Sequence, residues 1–154
     1  MRNWSLAHWF LVFFSTLITP MRPAAAEVPA THPDGFDLLK RGDNEQALKT
    51  FDQRLQVNPA DVEARFGRGR AFQELDQKYK ALEDYTIVIF VDPNHFKAFS
   101  NRGLVKGSLG NLQGALEDIN KSIQINRGFA AGYLNRGVTL GALGKPQLAL
   151  EDFS

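Results

Sequence analysis

The chain has 154 residues, 44% of them hydrophobic and 23% charged, and a formal net charge of +1. This length suits one domain of ordinary size, and the near balance of charge gives no electrostatic footprint for nucleic acid, which would need Lys and Arg clustered on one face. Cysteine is absent, which excludes a disulfide framework, a cysteine nucleophile, a thiolate metal site and a lipid-modified cysteine.

The amino-terminal segment 1–26 has the pattern of a secretory signal peptide. Arg2 supplies a positive start, residues 4–18 are mostly apolar, and three alanines at 24–26 form the small-residue pattern that a signal peptidase accepts. The alternative is a permanent membrane anchor, but this apolar stretch is shorter than the about 20 residues that span a bilayer. We expect cleavage after Ala26 and an exported protein, periplasmic or secreted, that would touch a membrane only through an uncleaved signal segment.

The rest of the chain repeats at a constant interval. The motifs that keep the period are Arg-Gly at 68–69, 102–103 and 136–137, and Ala-Leu-Glu-Asp at 81–84, 115–118 and 149–152. Within residues 62–75 and again within 79–91, apolar side chains recur at helical spacing, and Pro93 then ends the second run because proline cannot continue a helix. Each repeat is therefore predicted to be a helix, a short turn and a second helix.

These motifs resemble the tetratricopeptide repeat, a unit of about 34 residues in which a glycine, an alanine, an aromatic residue and a closing proline stand at fixed offsets. The second repeat matches that pattern with Gly69, Ala81, Tyr85 and Pro93. The resemblance implies an all-α fold, a right-handed superhelix of stacked helix-turn-helix pairs, over residues 27–154. Its repeats are expected at about 28–61, 62–95, 96–129 and 130–154, the first degenerate and the last incomplete.

The repeat pattern predicts two sets of contacts between the helices of one pair. The resemblance implies that the recurring glycine faces the small alanine of the second helix: Gly69 with Ala81, Gly103 with Ala115, and Gly137 with Ala149. An arginine and an aspartate also keep a constant separation within each of these repeats, which predicts ion pairs between Arg68 and Asp84, Arg102 and Asp118, and Arg136 and Asp152. The alternative is that these arginines and acids lie on separate solvated faces.

In tetratricopeptide proteins the first helix of each repeat lines the concave side, so the resemblance implies a peptide-binding groove there. Two asparagines share a column, and an amide that both donates and accepts can bind a peptide backbone. The alternative is that these asparagines bond within or between repeats. Two aliphatic residues would receive an apolar side chain, and two basic residues would favour an acidic group. The predicted groove residues are Arg70, Lys97, Asn101, Leu104, Leu134, Asn135 and Val138.

Nothing in the sequence predicts catalysis. His32 and His95 lack partners at metal-ligand spacing, the glycines recur with the repeat and not in a nucleotide-binding fingerprint, and a Gly-x-Ser-x-Gly elbow is missing. We therefore expect no cofactor, no metal and no small-molecule substrate. The patterns of family members that bind acidic carboxyl termini match clearly only at Asn101, so that clamp is not predicted.

The sequence thus favours an exported scaffold or adaptor that binds a protein or peptide. The alternative is a regulatory or targeting module at the amino-terminal end of a longer, possibly enzymatic, protein, because the fourth repeat stops short at Ser154. A third reading is self-association, with the carboxyl-terminal end of one copy stacking on another.

Overall fold

The computed structural model describes residues 34–152, with side chains up to residue 150. The chain divides into two units, Met1–Ala30 and Thr31–Ser154, and the described residues all belong to the second. The predicted signal peptide and its cleavage site at Ala26 lie outside the described residues.

Eight helices and no strands make up the described part of the chain. Their starts recur at the repeat interval in two series, one for the first and one for the second helix of each repeat. The exception is the first helix, which begins late in its repeat and is only seven residues long. The helices are α1 Gly35–Arg41, α2 Asn44–Val57, α3 Val62–Glu74, α4 Lys78–Val91, α5 Phe96–Ser108, α6 Leu112–Ile125, α7 Ala130–Ala142 and α8 Pro146–Asp152.

The helices stack in chain order, and they form two layers. Each helix packs against the next one, and α1, α3, α5 and α7 also pack against one another in series. The described α2, α4, α6 and α8 do not pack against one another in this way. We therefore call the first set the inner helices and the second set the outer helices. Buried apolar residues form one cluster around Phe51 and another around Tyr85, and Phe36 packs against both.

Inner helices end in the same way in every repeat. The residue that follows by one or two positions has a positive φ, and it is Gly42, Asp76, Gly110 or Gly144, again at the repeat interval. The next amide then donates to a carbonyl in the last turn of the helix, as Gln77 does to Phe72 at 2.8 Å. Glycine is the residue that most often adopts this left-handed conformation at the end of a helix. Asp76 adopts the same conformation with φ 56° despite its side chain.

Outer helices end without needing proline at every repeat. Asn58, Asp92 and Asn126 each accept a hydrogen bond from the backbone N–H two positions later, at 3.0–3.1 Å. Such side-chain turns compete with helix continuation. They explain why α6 stops where α2 and α4 stop, although Arg127 stands in place of a proline.

The core is organised around one large side chain from each of the outer helices α2, α4 and α6. Phe51, Tyr85 and Ile119 are fully buried and occupy the same position in three successive repeats. Each contacts a glycine on the inner helix of its own repeat: a methyl group at Gly69 would lie 2.8 Å from the Tyr85 ring, and one at Gly103 would lie 2.8 Å from Ile119. The absence of a side chain on the glycine thus makes room for a large residue where the two helices approach closely.

The predicted pairing of glycine with alanine is seen at Gly103, whereas at Gly69 larger residues lie nearer than the alanine. The nearest atoms to Gly69 belong to Tyr85 and Asp84 and not to Ala81, whereas Gly103 lies against the carbonyl oxygen of Ala115 as well as Ile119. The alanine is fully buried at the same interface, but the residue four positions later on the same helix face reaches further across it. Gly137 and Ala149 are both buried.

Arginines link the outer helices of successive repeats. Arg68 donates to both carboxylate oxygens of Asp84, at 2.8 and 2.7 Å, and also to Asp52 of the preceding outer helix at 2.9 Å. The hydrogen bonds to Asp84 raise the pKa of Arg68. Arg102 makes the same bidentate contact with Asp118, at 2.8 Å for both bonds. Both predicted pairs are therefore present, and the Arg68 pair includes a third helix that the sequence did not predict.

The third predicted pair, Arg136 with Asp152, falls partly outside the described side chains. What the structure does describe is a hydrogen bond from Arg136 Nη1 to Asn120 Oδ1 at 3.2 Å. Asn120 occupies the position of Asp52 in the third repeat, so the link to the preceding outer helix recurs there.

Candidate functional site

A cleft of about 720 Å³ opens among the inner helices and the turns beside them. It lies in the first three repeats and ends near the start of α7. Its lining contains four phenylalanines, three Lys or Arg side chains, two acids, one histidine and two asparagines. These residues are Phe36, Lys40, Glu63, Phe66, Arg70, Asp92, Asn94, His95, Phe96, Lys97, Asn101 and Phe129.

Two groups of rings form the apolar part of the cleft. In the first, Phe66 lies 6.4 Å from Phe36 and 4.7 Å from His95, measured between ring centres. In the second, Phe96 and Phe129 meet edge to face at 5.0 Å. Phe66 is only 5% exposed, whereas Phe36, Phe96 and Phe129 are half-buried. The half-buried rings therefore offer apolar surface to the cleft.

The turn before α5 holds His95 in place. Its Nδ1 accepts the backbone N–H of Ala98 at 3.1 Å and caps the helix, which requires an unprotonated Nδ1. The other ring nitrogen, Nε2, lies 3.8 Å from the carboxylate of Glu63. One of the two acids at the cleft is thus turned toward the histidine, and the other, Asp92, accepts the N–H of Asn94.

The cations of the cleft differ in their partners. Lys40 pairs with Asp37 at 2.9 Å on its own helix, and this contact lowers the pKa of Asp37. Arg70 and Lys97 form no ion pair with the described residues. Arg70 is half-exposed and Lys97 is exposed. These two predicted groove residues therefore lie at the cleft without an ion pair to the described residues.

The two asparagines bond between repeats, which was the alternative reading of their shared column. Asn101 Nδ2 donates to the Tyr85 hydroxyl of the second repeat at 3.4 Å, and Asn135 Nδ2 donates to the buried Ser100 of the third at 3.0 Å. One repeat before Asn101, the same column holds Gly67, which packs on Phe51. The residues of this column therefore contribute to the packing of successive repeats on one another. Asn101 also borders the cleft, whereas Asn135 does not.

Tyr85 connects the cleft to the core. Its hydroxyl donates to Gln73 Oε1 at 3.0 Å and accepts from Asn101. Burial raises the pKa of this hydroxyl above its ordinary value. Tyr85 therefore stays protonated and holds Asn101 between two repeats.

Three of the seven predicted groove residues line the cleft, namely Arg70, Lys97 and Asn101. Leu134 and Val138, which were predicted to receive an apolar side chain, lie on α7 with 55% and 61% of their surface exposed. Neither they nor Leu104 nor Asn135 belongs to the cleft. The apolar surface lies instead on phenylalanines of the first three repeats and of the turn after α6.

The predicted groove residues did not include these phenylalanines, which occupy four different columns of the repeat. One repeat further along, Phe66 is replaced by Ser100, Phe96 by Ala130 and Phe36 by Arg70. A search for recurring residues passes over such positions. A search for aromatic residues that depart from their column would have found them.

The described part of the chain holds no cluster of three His, Cys, Asp or Glu side chains that could bind a metal ion. Each of its helices is also too short or too polar to cross a bilayer.

The sequence matches no protein-family model and no curated protein, but solved structures are similar to it. MamA is 24% identical over 77% of this chain and 70% of its own, with a TM-score of 0.69. A thermophilic TPR protein of Thermus thermophilus is 24% identical over 77% and 66%, with a TM-score of 0.73. The first TPR of Spaghetti (RPAP3), bound to the HSP90 peptide SRMEEVD, is 19% identical over 71% and 87%, with a TM-score of 0.67. The chain therefore has the tetratricopeptide-repeat fold, the superhelix of helix pairs that the resemblance of its repeats implied.

Proposed function

We propose that this chain is a protein-interaction scaffold that binds an extended segment of a partner protein across its inner helices. The observation that carries the proposal is the cleft, which combines half-buried phenylalanines with two cations that lack an ion pair among the described residues. Its volume of about 720 Å³ lies in the range of pockets that enclose most of a small ligand. One solved structure of the same fold contains a bound peptide, which supports the same kind of occupant here.

Each part of the cleft has a role in such a complex. The phenylalanine surface would receive an apolar side chain, which leaves water at a gain of about 25 cal/mol per Å² of buried apolar area. Asn101 has a second amide hydrogen and an oxygen beyond its bond to Tyr85, so it would bind the peptide backbone. Arg70 and Lys97 would attract an acidic group.

Peptide selection on the full chain tests this function. A library of random peptides is displayed on phage, and the enriched peptides are then measured by fluorescence anisotropy. Asn101→Ala removes a cleft amide and should weaken binding about fivefold, the value of one hydrogen bond. Asn135→Ala is the matched control because it removes the same amide outside the cleft, and it should leave affinity unchanged. Failure to enrich any peptide, or equal binding by both variants, would refute the proposal.

We also propose that the scaffold works after export. The support is the sequence pattern around Ala26, where three alanines precede Glu27. Intact-mass measurement of the protein recovered from its native cells should give a chain that begins at Glu27. A mass that still includes the segment 1–26 would contradict cleavage.

A further inference from the structure

We infer that the cleft selects a segment in which an aromatic side chain is flanked by carboxylates. This inference rests on the proposed function and specifies the chemistry of the partner. It depends on two properties of the cleft: the geometry of its aromatic rings, and the positive charge of the two side chains, Arg70 and Lys97, that form no ion pair with the described residues.

The ring geometry favours an aromatic guest. Phe96 and Phe129 already meet edge to face at 5.0 Å, and Phe66 and His95 lie 4.7 Å apart. Aromatic rings gain from such contacts beyond the area that they bury, whereas aliphatic side chains do not. Lys97, whose Nζ lies 5.9 Å from the Phe96 ring, adds a cation to the same surface and would attract the face of a guest ring.

The charge favours carboxylates beside that ring. Glu63 lies near His95, Asp92 caps its own turn, and Lys40 pairs with Asp37. The cations on the lining that form no ion pair with the described residues are Arg70 and Lys97. Because the arginine fork binds a carboxylate through two parallel hydrogen bonds, an acidic residue is the matching group.

The combination is confined to the first three repeats. One repeat later, the position of Arg70 is occupied by Leu104, that of Lys97 by Ala131 and that of Phe66 by Ser100. The same inner-helix positions in the later repeats therefore have neither the cations nor the rings. The site is made from residues that depart from the repeat, which distinguishes it from the structural columns.

A single-stranded nucleic acid also carries aromatic groups and negative charge, but the cleft favours a protein. Glu63 and Asp92 lie among the cations of the lining, so the cleft offers no continuous basic track for a phosphate backbone. The whole chain has a net charge of only +1, without the excess of basic residues that such binding uses.

The test uses the full chain and a dye-labelled peptide, Gly-Ser-Asp-Phe-Asp-Ser-Gly, with binding measured by fluorescence anisotropy. Replacement of its phenylalanine by alanine, and separately of both aspartates by asparagine, should each weaken binding about tenfold. The double variant Arg70→Ser with Lys97→Ser should lose the preference for aspartate and keep the preference for phenylalanine. Lys49→Ser with Lys121→Ser is the charge-matched control because both lysines are exposed and lie away from the cleft.

The outcomes separate this inference from the proposed function. If the peptide library yields ligands without acidic or aromatic residues and Asn101→Ala weakens their binding, the proposed scaffold function is supported and the inferred partner chemistry is refuted. If the library yields no ligand, both fall. Equal affinity for the aspartate and asparagine peptides overturns the inference, as does a labelled oligouridylate that binds more tightly and is lost in the Arg70 and Lys97 double variant.

Discussion

Gly67→Ala should destabilise the protein although alanine is the better helix former. Gly67 lies inside α3, where an added methyl group would overlap the ring of Phe51. The ring has no room to retreat because Gly35 of α1 lies on its other side, where a methyl group would stand 2.6 Å from the same ring. Phe51 is fully buried and occupies a slot between two glycines.

The magnitude follows from two opposing effects. Overpacking a core costs about 1–3 kcal/mol, and the cost at Gly67 belongs at the upper end because the ring is enclosed on both sides. Replacing glycine by alanine inside a helix returns up to about 1 kcal/mol. The net loss should be about 2 kcal/mol, which lowers the melting temperature by about 4–8 °C for a chain of this size.

The assay is thermal and urea unfolding of the full chain, followed by circular dichroism in the far ultraviolet. Gly141→Ala is the matched control, because a methyl group there would meet nothing within 4 Å, and it should raise the melting temperature by a few degrees at most. In the Gly67→Ala background, Phe51→Leu should cost less than in the wild type because it relieves the overlap. Equal stabilisation by the two alanine variants would refute the slot.

Three further predictions concern single features of the fold. Asp76→Gly should stabilise by about 1 kcal/mol, because glycine adopts the positive φ without strain, and an unchanged urea midpoint would contradict this. Arg102→Met should lower the free energy of unfolding by about 2–3 kcal/mol. This is less than the loss expected when one partner of a buried ion pair is removed, because Lys106 also contacts Asp118 at 2.8 Å. Asp118→Asn should cost less in the Arg102→Met variant than in the wild type, and strictly additive losses would exclude the coupling. Burial raises the pKa of Tyr85, so the unfolded chain loses that proton first. The stabilisation from the neutral hydroxyl should be complete below about pH 10 and should decrease at higher pH. The free energy of unfolding, measured by urea titration, should therefore fall less steeply with pH in Tyr85→Phe than in the wild type. Equal slopes would show that Tyr85 contributes nothing.

The two uses of the asparagine column show where sequence reasoning reached its limit. Asn101 and Asn135 share a column, and the sequence left open whether their amides face a peptide or a neighbouring repeat. The structure places both amides between repeats and brings only Asn101 to the cleft. Which neighbour an amide meets depends on the side chain of the preceding repeat, Tyr85 in one case and Ser100 in the other, and spacing along the chain does not encode that choice.

The sequence by itself determined the period, the helix pairs and the pairing of Arg68 with Asp84 and of Arg102 with Asp118. These features depend on local propensity and on contacts within one repeat, so they return once in every repeat and can be read from the recurrence. Only the tertiary structure decided where the apolar part of the cleft lies. Its phenylalanines come from different columns and different repeats, and they meet because consecutive helix pairs stack with their inner helices in contact. A period records what the repeats have in common, whereas this site is built from what distinguishes them.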